Sequence, residues 1–240
     1  MAESRSLFEF KQFSLYHGNP GLKISTEACL FGAWASQKAR GNCLDIGTGC
    51  GLLASMLAQA NPTCSVKALE IHPEVAKVAS GNFQNGPFKG RLKVTQTDVS
   101  EYNPDEKFDF ICSNPPFFTN HLASSDEAKH MAIHADYLSP ADLAASIERL
   151  LTKEGEFAVL YPADVLVLFE QSLNANGLFI HEKVTIHSNP SSPVLRIMAS
   201  GSREKSTIKD GRINIKTEQG DYSPKFIELL RPYYIIFPSQ

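Results

Sequence analysis

The chain has 240 residues, 42% of them hydrophobic and 20% charged, enough for one sizeable core. Its formal net charge is −3, so nothing global announces a nucleic-acid partner, and any such contact has to come from local patches. Five cysteines (Cys29, Cys43, Cys50, Cys64 and Cys112), odd in number and without C-x-x-C spacing, argue against a disulfide framework or a zinc site.

No apolar stretch follows Met1-Ala2-Glu3-Ser4-Arg5 as in a signal peptide, and no run approaches the roughly 18 apolar residues of a membrane span. These features lead us to expect a cytoplasmic protein with no membrane contact, no metal and no obligate protein partner. Strand-like and helix-like segments then alternate, the pattern of an α/β domain with a mostly parallel sheet. Strands are expected over 43–46, 65–70, 92–97, 108–113 and 156–161, and helices over 52–60, 73–85, 143–151 and 163–175. Late strands, partly antiparallel, are expected over 179–187, 194–200 and 212–216, then a helix over 223–230 and a last strand over 233–237. Residues 121–135 and 201–211 are too polar for the core and read as loops.

Two motifs carry chemistry. Residues 111–118 read Ile-Cys-Ser-Asn-Pro-Pro-Phe-Phe. Neither Pro115 nor Pro116 can give an N–H to a sheet ladder, and each fixes φ near −65°, so the chain leaves the sheet at Asn114 along a stiff path. One side-chain amide, bare carbonyls and the Phe117 ring are thereby displayed at a strand end, a group suited to a planar molecule with an exocyclic amino group, such as adenine.

The second motif, Asp45-Ile46-Gly47-Thr48-Gly49-Cys50-Gly51, joins the first of these strands to the helix after it. Glycines there allow close approach of a ligand to backbone N–H groups at a helix start. The spacing G-x-G-x-G differs from the G-x-G-x-x-G of a dinucleotide-binding turn, which counts against a dehydrogenase. Glu70, closing the next strand, is placed either to accept both hydroxyls of a ribose or to be a solvated strand end. Asp98, closing the third, either accepts from an adenine amino group or caps the following turn.

In this order, Asp-x-Gly-x-Gly-x-Gly, an acid ending strand two, Asp ending strand three and Asn-Pro-Pro-Phe ending strand four resemble a class I S-adenosylmethionine-dependent methyltransferase acting on planar nitrogens. The segments Phe10-Lys11-Gln12-Phe13 and 22–34 (Leu-Lys-Ile-Ser-Thr-Glu-Ala-Cys-Leu-Phe-Gly-Ala-Trp), with the closing Tyr222-Ser223-Pro224 and Tyr233-Tyr234, resemble the bacterial tRNA1(Val) adenosine-37 N6-methyltransferase family. The resemblance implies an α/β, Rossmann-like class I fold with a seven-stranded, mostly parallel sheet and helices on both faces. Within it, residues 1–41 would form a segment covering substrate and cofactor, and 42–240 the methyltransferase domain, one domain overall. It also implies S-adenosylmethionine as cofactor and tRNA as partner. Gly47, Gly49 and Gly51 would shape the bed of the methionine part and Asp45 orient it. Glu70 would hold the ribose, Asp98 the cofactor's adenine, and Lys23 and Thr26 would close over the methionine end.

Asn114 and the Pro115 carbonyl would accept the two N6 hydrogens, and Phe117 would stack on the base, with Pro116, Lys129 and His130 also lining the substrate side. Where relatives often carry Ala-Arg-His, this chain has Ala132-Ile133-His134. Phosphate contacts are expected from the five Lys or Arg, against two acids, between Gly201 and Lys216, with Lys11 adding to them. The rival readings are an N5-glutamine methyltransferase acting on a protein, an rRNA adenine or guanine N-methyltransferase, and a non-catalytic cofactor-binding module that contacts RNA.

Overall fold

The computed structural model describes residues 7–18, 24–116 and 138–238. A hairpin of β1 (Leu7–Glu9) and β2 (Ser14–Tyr16) precedes α1 (Thr26–Ala35), and the alternating part follows: β3 (Asn42–Ile46), α2 (Leu52–Ala60), β4 (Ser65–Glu70), α3 (Pro73–Asn85), β5 (Leu92–Gln96) and β6 (Phe108–Ser113). After it come α4 (Pro140–Leu150), β7 (Leu151–Tyr161), α5 (Ala163–Ala175), β8 (Phe179–His187), β9 (Val194–Ser202), β10 (Lys209–Asn214) and α6 (Pro224–Leu230).

The main sheet has the order β10-β8-β9-β7-β6-β3-β4-β5. β9 runs antiparallel to both β7 and β8, and the other pairings are parallel. This makes eight strands, where seven were expected for the fold and eight are expected segment by segment from 43 to 216. The strand expected over 212–216 is β10, a parallel edge beside β8 that begins earlier, at Lys209, inside the stretch expected to be a loop, while β9 enters that stretch from the other side. Residues 209–212 are exposed, so this edge needs no apolar pattern and its sequence is polar. The strand expected over 233–237 is instead a run of turns between Pro232 and Pro238, closed by Tyr234 N to Leu230 O and Phe237 N to Tyr234 O.

Two cores fill the faces. One lies among α1, α2, α3, α6 and the N-terminal hairpin, the other among α4, α5 and the opposite side of the sheet. α1 had no counterpart in the sequence reading because it is buried from Ala28 through Ala35. A helix enclosed on all sides carries no polar face to mark its period. Ser25 caps it by accepting from Ala28 N, and α1 packs so closely on α2 that a Cβ on Gly32 would fall 2.4 Å from Met56 Sδ.

At its far end α2 is closed by Arg91, whose guanidinium donates to the carbonyls of Ala58 (2.8 Å), Asn61 (3.0 Å) and Cys64 (3.2 Å). Arg91→Ala should therefore cost about 2 kcal/mol in chemical denaturation, the scale of hydrogen bonds from a charged donor to carbonyls left without a substitute.

Candidate active site

The motifs converge at the carboxyl ends of β6, β3, β4 and β5, which are consecutive in the sheet. The turn after β3 is shaped by three glycines with positive φ, +72° at Gly47, +58° at Gly49 and +89° at Gly51. The reasons differ along the turn. A Cβ on Gly51 would lie 2.4 Å from the Phe83 ring, whereas one on Gly47 would meet nothing within 4 Å. The turn is thus packed tightly behind Gly51 and open in front of Gly47. Gly47 N and Thr48 N both donate to Leu69 O, at 2.9 and 3.0 Å, tying the turn to β4. Asn82 of α3 braces it from outside, donating to Cys50 O and Tyr16 O (each 2.8 Å) and accepting from Tyr16 N.

Asp45 has no exposed surface. Its Oδ2 accepts from Thr48 Oγ1 at 2.6 Å and from Ala54 N at 3.2 Å. α2 begins at Gly51, which offers no side-chain cap, so the strand carboxylate takes that role. Burial pushes the Asp45 carboxyl up to about 6 against the opposing pull of these two bonds. Glu70 is buried too, and its oxygens accept from Gly49 N (3.0 Å) and His72 N (3.1 Å). It is therefore a fixed wall of the turn rather than a solvated strand end, and each oxygen retains a lone pair for a hydroxyl. Asp98 does cap the next turn, through Ser100 N to Oδ1 at 2.8 Å, and Arg149 of α4 holds that turn by donating to Val99 O (2.7 Å) and Tyr102 O.

Ser113 escaped the sequence reading. It ends β6 with no exposed surface, and its hydroxyl donates to Ile46 O at 2.8 Å, locking together the ends of the two strands that carry the motifs. Its signal was a lone hydroxyl closing an apolar run. Asn114 follows, half-buried, then Pro115 buried and Pro116 exposed. Among the described residues, no hydrogen bond engages the Asn114 carboxamide. Thr26 is exposed on the first turn of α1, and Ser25, not Thr26, supplies the cap. Lys23, Phe117, Lys129, His130 and the 121–135 stretch lie outside the described residues.

Part of the expected basic cluster is engaged internally. Arg203 binds Glu148 and the Glu148 carbonyl, and Arg212 binds Asn214 and the Pro190 carbonyl. Burial pushes the Cys50 thiol in the turn up to about 11 and Cys29 up to about 12, so neither is a nucleophile near neutral pH. Among the described residues there is no group of three metal-ligating side chains, and no helix is long and apolar enough to cross a membrane.

The family described as the methyltransferase small domain matches residues 27–141. A tRNA1(Val) (adenine(37)-N6)-methyltransferase of Phocaeicola vulgatus is 35% identical over 230 residues, 95% of this chain and 97% of its own length. One of the same name from Bacteroides fragilis is 34% identical over 235 residues, 97% and 99% of the two chains. Among solved structures, a predicted O-methyltransferase from Agrobacterium tumefaciens superposes with a TM-score of 0.69 at 16% identity, covering 87% of this chain and 96% of that one. That likeness shows the class I methyltransferase fold.

The buried Asp45 makes stability depend on pH. Unfolded, the carboxyl titrates near its ordinary value of 3.8, and folded near 6. Between these the folded state holds the extra proton, so stability falls as pH rises, and the buried charge is borne in full above the upper value. The difference corresponds to about 3 kcal/mol. Urea unfolding from pH 4 to 7.5 should show wild type losing that much relative to Asp45→Asn; parallel curves would show that the carboxylate carries no such cost.

Proposed function

We propose, on the premise that this chain belongs to the family of tRNA1(Val) (adenine(37)-N6)-methyltransferases, that it methylates N6 of an adenine in tRNA, adenosine-37 of the anticodon loop of tRNA1(Val), with S-adenosylmethionine as methyl donor. The observation that carries the reading is a register: Ile46 of β3 pairs with Ser113 of β6, so the glycine turn and the Asn114–Pro115 acceptors start from paired positions. Neighbouring strands lie about 5 Å apart. The same spacing repeated sets Asn114, the turn, Glu70 and Asp98 along a line of about 14 Å, on the scale of a nucleoside joined to an amino acid.

The residues present fit that cofactor. The space in front of Gly47 is open, Glu70 has lone pairs for two ribose hydroxyls, and Asp98 stands one strand further for an adenine amino group. Lys23 and Thr26 are assigned to the methionine end. When bound, S-adenosylmethionine supplies a methyl group made electrophilic by its sulfonium.

The chain's own work is on the acceptor. Adenine N6 is a poor nucleophile because its lone pair is delocalised into the ring. Asn114 Oδ1 and the Pro115 carbonyl accept its two hydrogens, draw the nitrogen toward a pyramidal form and direct the lone pair. These bonds strengthen as positive charge grows on the nitrogen. N6 then gives up a proton to water, so no strong base is required. Phe117 stacks on the base, worth about 1–3 kcal/mol, with Pro116, Lys129 and His130 bordering it. A base in an anticodon loop is already single-stranded, so turning it outward costs little. The reading places the protein in the cytoplasm, acting on tRNA without an obligate protein partner.

The test is transfer of radiolabelled methyl groups to unmodified tRNA transcripts. Asn114→Ala should lower the rate about a hundredfold while leaving cofactor affinity unchanged; equal incorporation by both proteins would remove Asn114 from the mechanism, and label appearing only in protein would favour a glutamine acceptor. Because phosphate contacts release counterions, activity on tRNA should also fall steeply as salt is raised, and a flat profile would contradict an RNA substrate.

A further inference from the structure

β10 runs parallel to β8, and β8, β9 and β7 alternate in direction, so β10 ends at the same edge of the sheet as β6. The chain is tethered there, with Ile215 N donating to His187 O (2.8 Å) and Lys216 N to Ser188 O (2.9 Å). It then turns over 217–220 and returns beside itself, Thr217 N donating to Asp221 O at 2.8 Å and Ser223 N to Ile215 O at 3.0 Å. Lys216 and Tyr222, paired between these two bonds, form the close, non-hydrogen-bonded kind of antiparallel pair, whose side chains stand next to each other on one face. Both are exposed, and among the described residues no ion pair holds the Lys216 ammonium.

Tyr222 is the outer ring of an aromatic stack. It lies parallel to the buried Phe226, at 5.0 Å and 9°, and meets Phe237 at 5.5 Å and 90°. Phe226 and Phe237 are 6.2 Å from each other, too close to lie on opposite faces of Tyr222. The face turned away from Phe226 is therefore left to solvent, and the ring is 40% exposed.

We propose that this face receives a nucleobase of the tRNA anticodon loop other than the target adenine, with Lys216 holding the adjoining phosphate; the proposal rests on the tRNA reading above. A flat ring held on one side and bare on the other loses little freedom when a base continues the stack, and every base offers a π face. An apolar peptide side chain would cover Tyr222 but leave the neighbouring ammonium without an acceptor, whereas a nucleotide brings a ring and a phosphate together. Asp221, the nearest acid in sequence, alternates to the other face of its strand, and Glu218 accepts from Ser191 Oγ.

The location suits a loop nucleotide. In the order β10-β8-β9-β7-β6, four strand spacings of about 5 Å separate the end of β10 from the end of β6 before Asn114, about 20 Å along one rim of the sheet. A few nucleotides of single strand cross such a span. Tyr234 packs on Phe226 (6.3 Å) and Phe237 (6.0 Å), and its hydroxyl meets the Cys29 thiol of α1. The stack is thus braced against the helix whose first turn carries Thr26, so both contacts share one rigid frame.

The experiment binds an anticodon stem–loop RNA carrying a fluorescent purine analogue at one loop position at a time, with S-adenosylmethionine affinity and the unfolding midpoint measured on the same proteins. At a position other than the target, wild type should quench the analogue as Tyr222 stacks on it. Tyr222→Leu, which keeps apolar cover over Phe226 without a π face, should abolish that quench and bind the RNA about tenfold more weakly, with cofactor affinity and midpoint at wild-type values. Tyr222→Phe should retain both the quench and the affinity. Lys216→Glu should weaken binding with a shallower salt slope, and Lys93→Glu, the same charge change on β5 at the far edge of the sheet, should stay near wild type. A wild type that methylates tRNA but quenches no analogue outside the target position overturns the stacking site alone, as does equal RNA affinity for wild type and Tyr222→Leu. A wild type that neither binds nor methylates tRNA overturns the substrate reading beneath it.

Discussion

A carboxylate sealed from water stands at the root of this site. Asp45 faces two ways, toward the Thr48 hydroxyl of the glycine turn and toward Ala54 N in the first turn of α2. It thus supplies a helix cap from a neighbouring strand, where the helix's own cap residue is a glycine. A serine or aspartate at Gly51 would cap locally, but its Cβ would strike Phe83 and its backbone would be strained at φ +89°. The protein accepts the desolvation of Asp45 and in return keeps a turn whose open side is all backbone.

That constraint propagates along the sheet. Leu69 O holds two amides of the turn, Glu70 holds a third, and Ser113 clamps β6 to β3 one residue before Asn114. The groups that would meet a cofactor and those that would meet an amino group are thereby fixed to one rigid layer. Arg149 extends the arrangement by holding the Asp98 turn from the opposite face. Relative placement of donor and acceptor is then a property of strand register, which side-chain motion cannot change by a full residue without turning every side chain to the other face.

Much of this was legible in the sequence. The alternation of strands and helices from residue 42 to 187, and the motif positions at strand ends, follow from local signals: Asn61-Pro62, Pro73, the Ser139-Pro140 cap and the prolines after Asn114. Other parts lacked local signals. α1 is apolar on all sides and shows no period, and the start of β10, ahead of the strand expected from 212, is a polar edge that resembles a loop until its partner is known. Gly51 was read as freedom for a ligand, yet its room is taken by Phe83, a contact 32 positions along the chain. Arg203 and Arg212 looked like a phosphate-binding cluster because composition cannot show that Glu148 and Pro190 already occupy them.

The antiparallel β9 has a consequence for how the chain is made. β8 does not pair with β7, because β9 lies between them and bonds to both. During synthesis, β7 therefore emerges with one side of its ladder unpaired, and β8 emerges with nothing to join until residues 194–202 follow. For that interval the nascent chain displays an apolar strand edge, the kind of surface that invites pairing with another polypeptide. β8 and, through it, β10 can therefore join the sheet only once β9 is in place beside β7, so completion of this edge waits on residues 194–202.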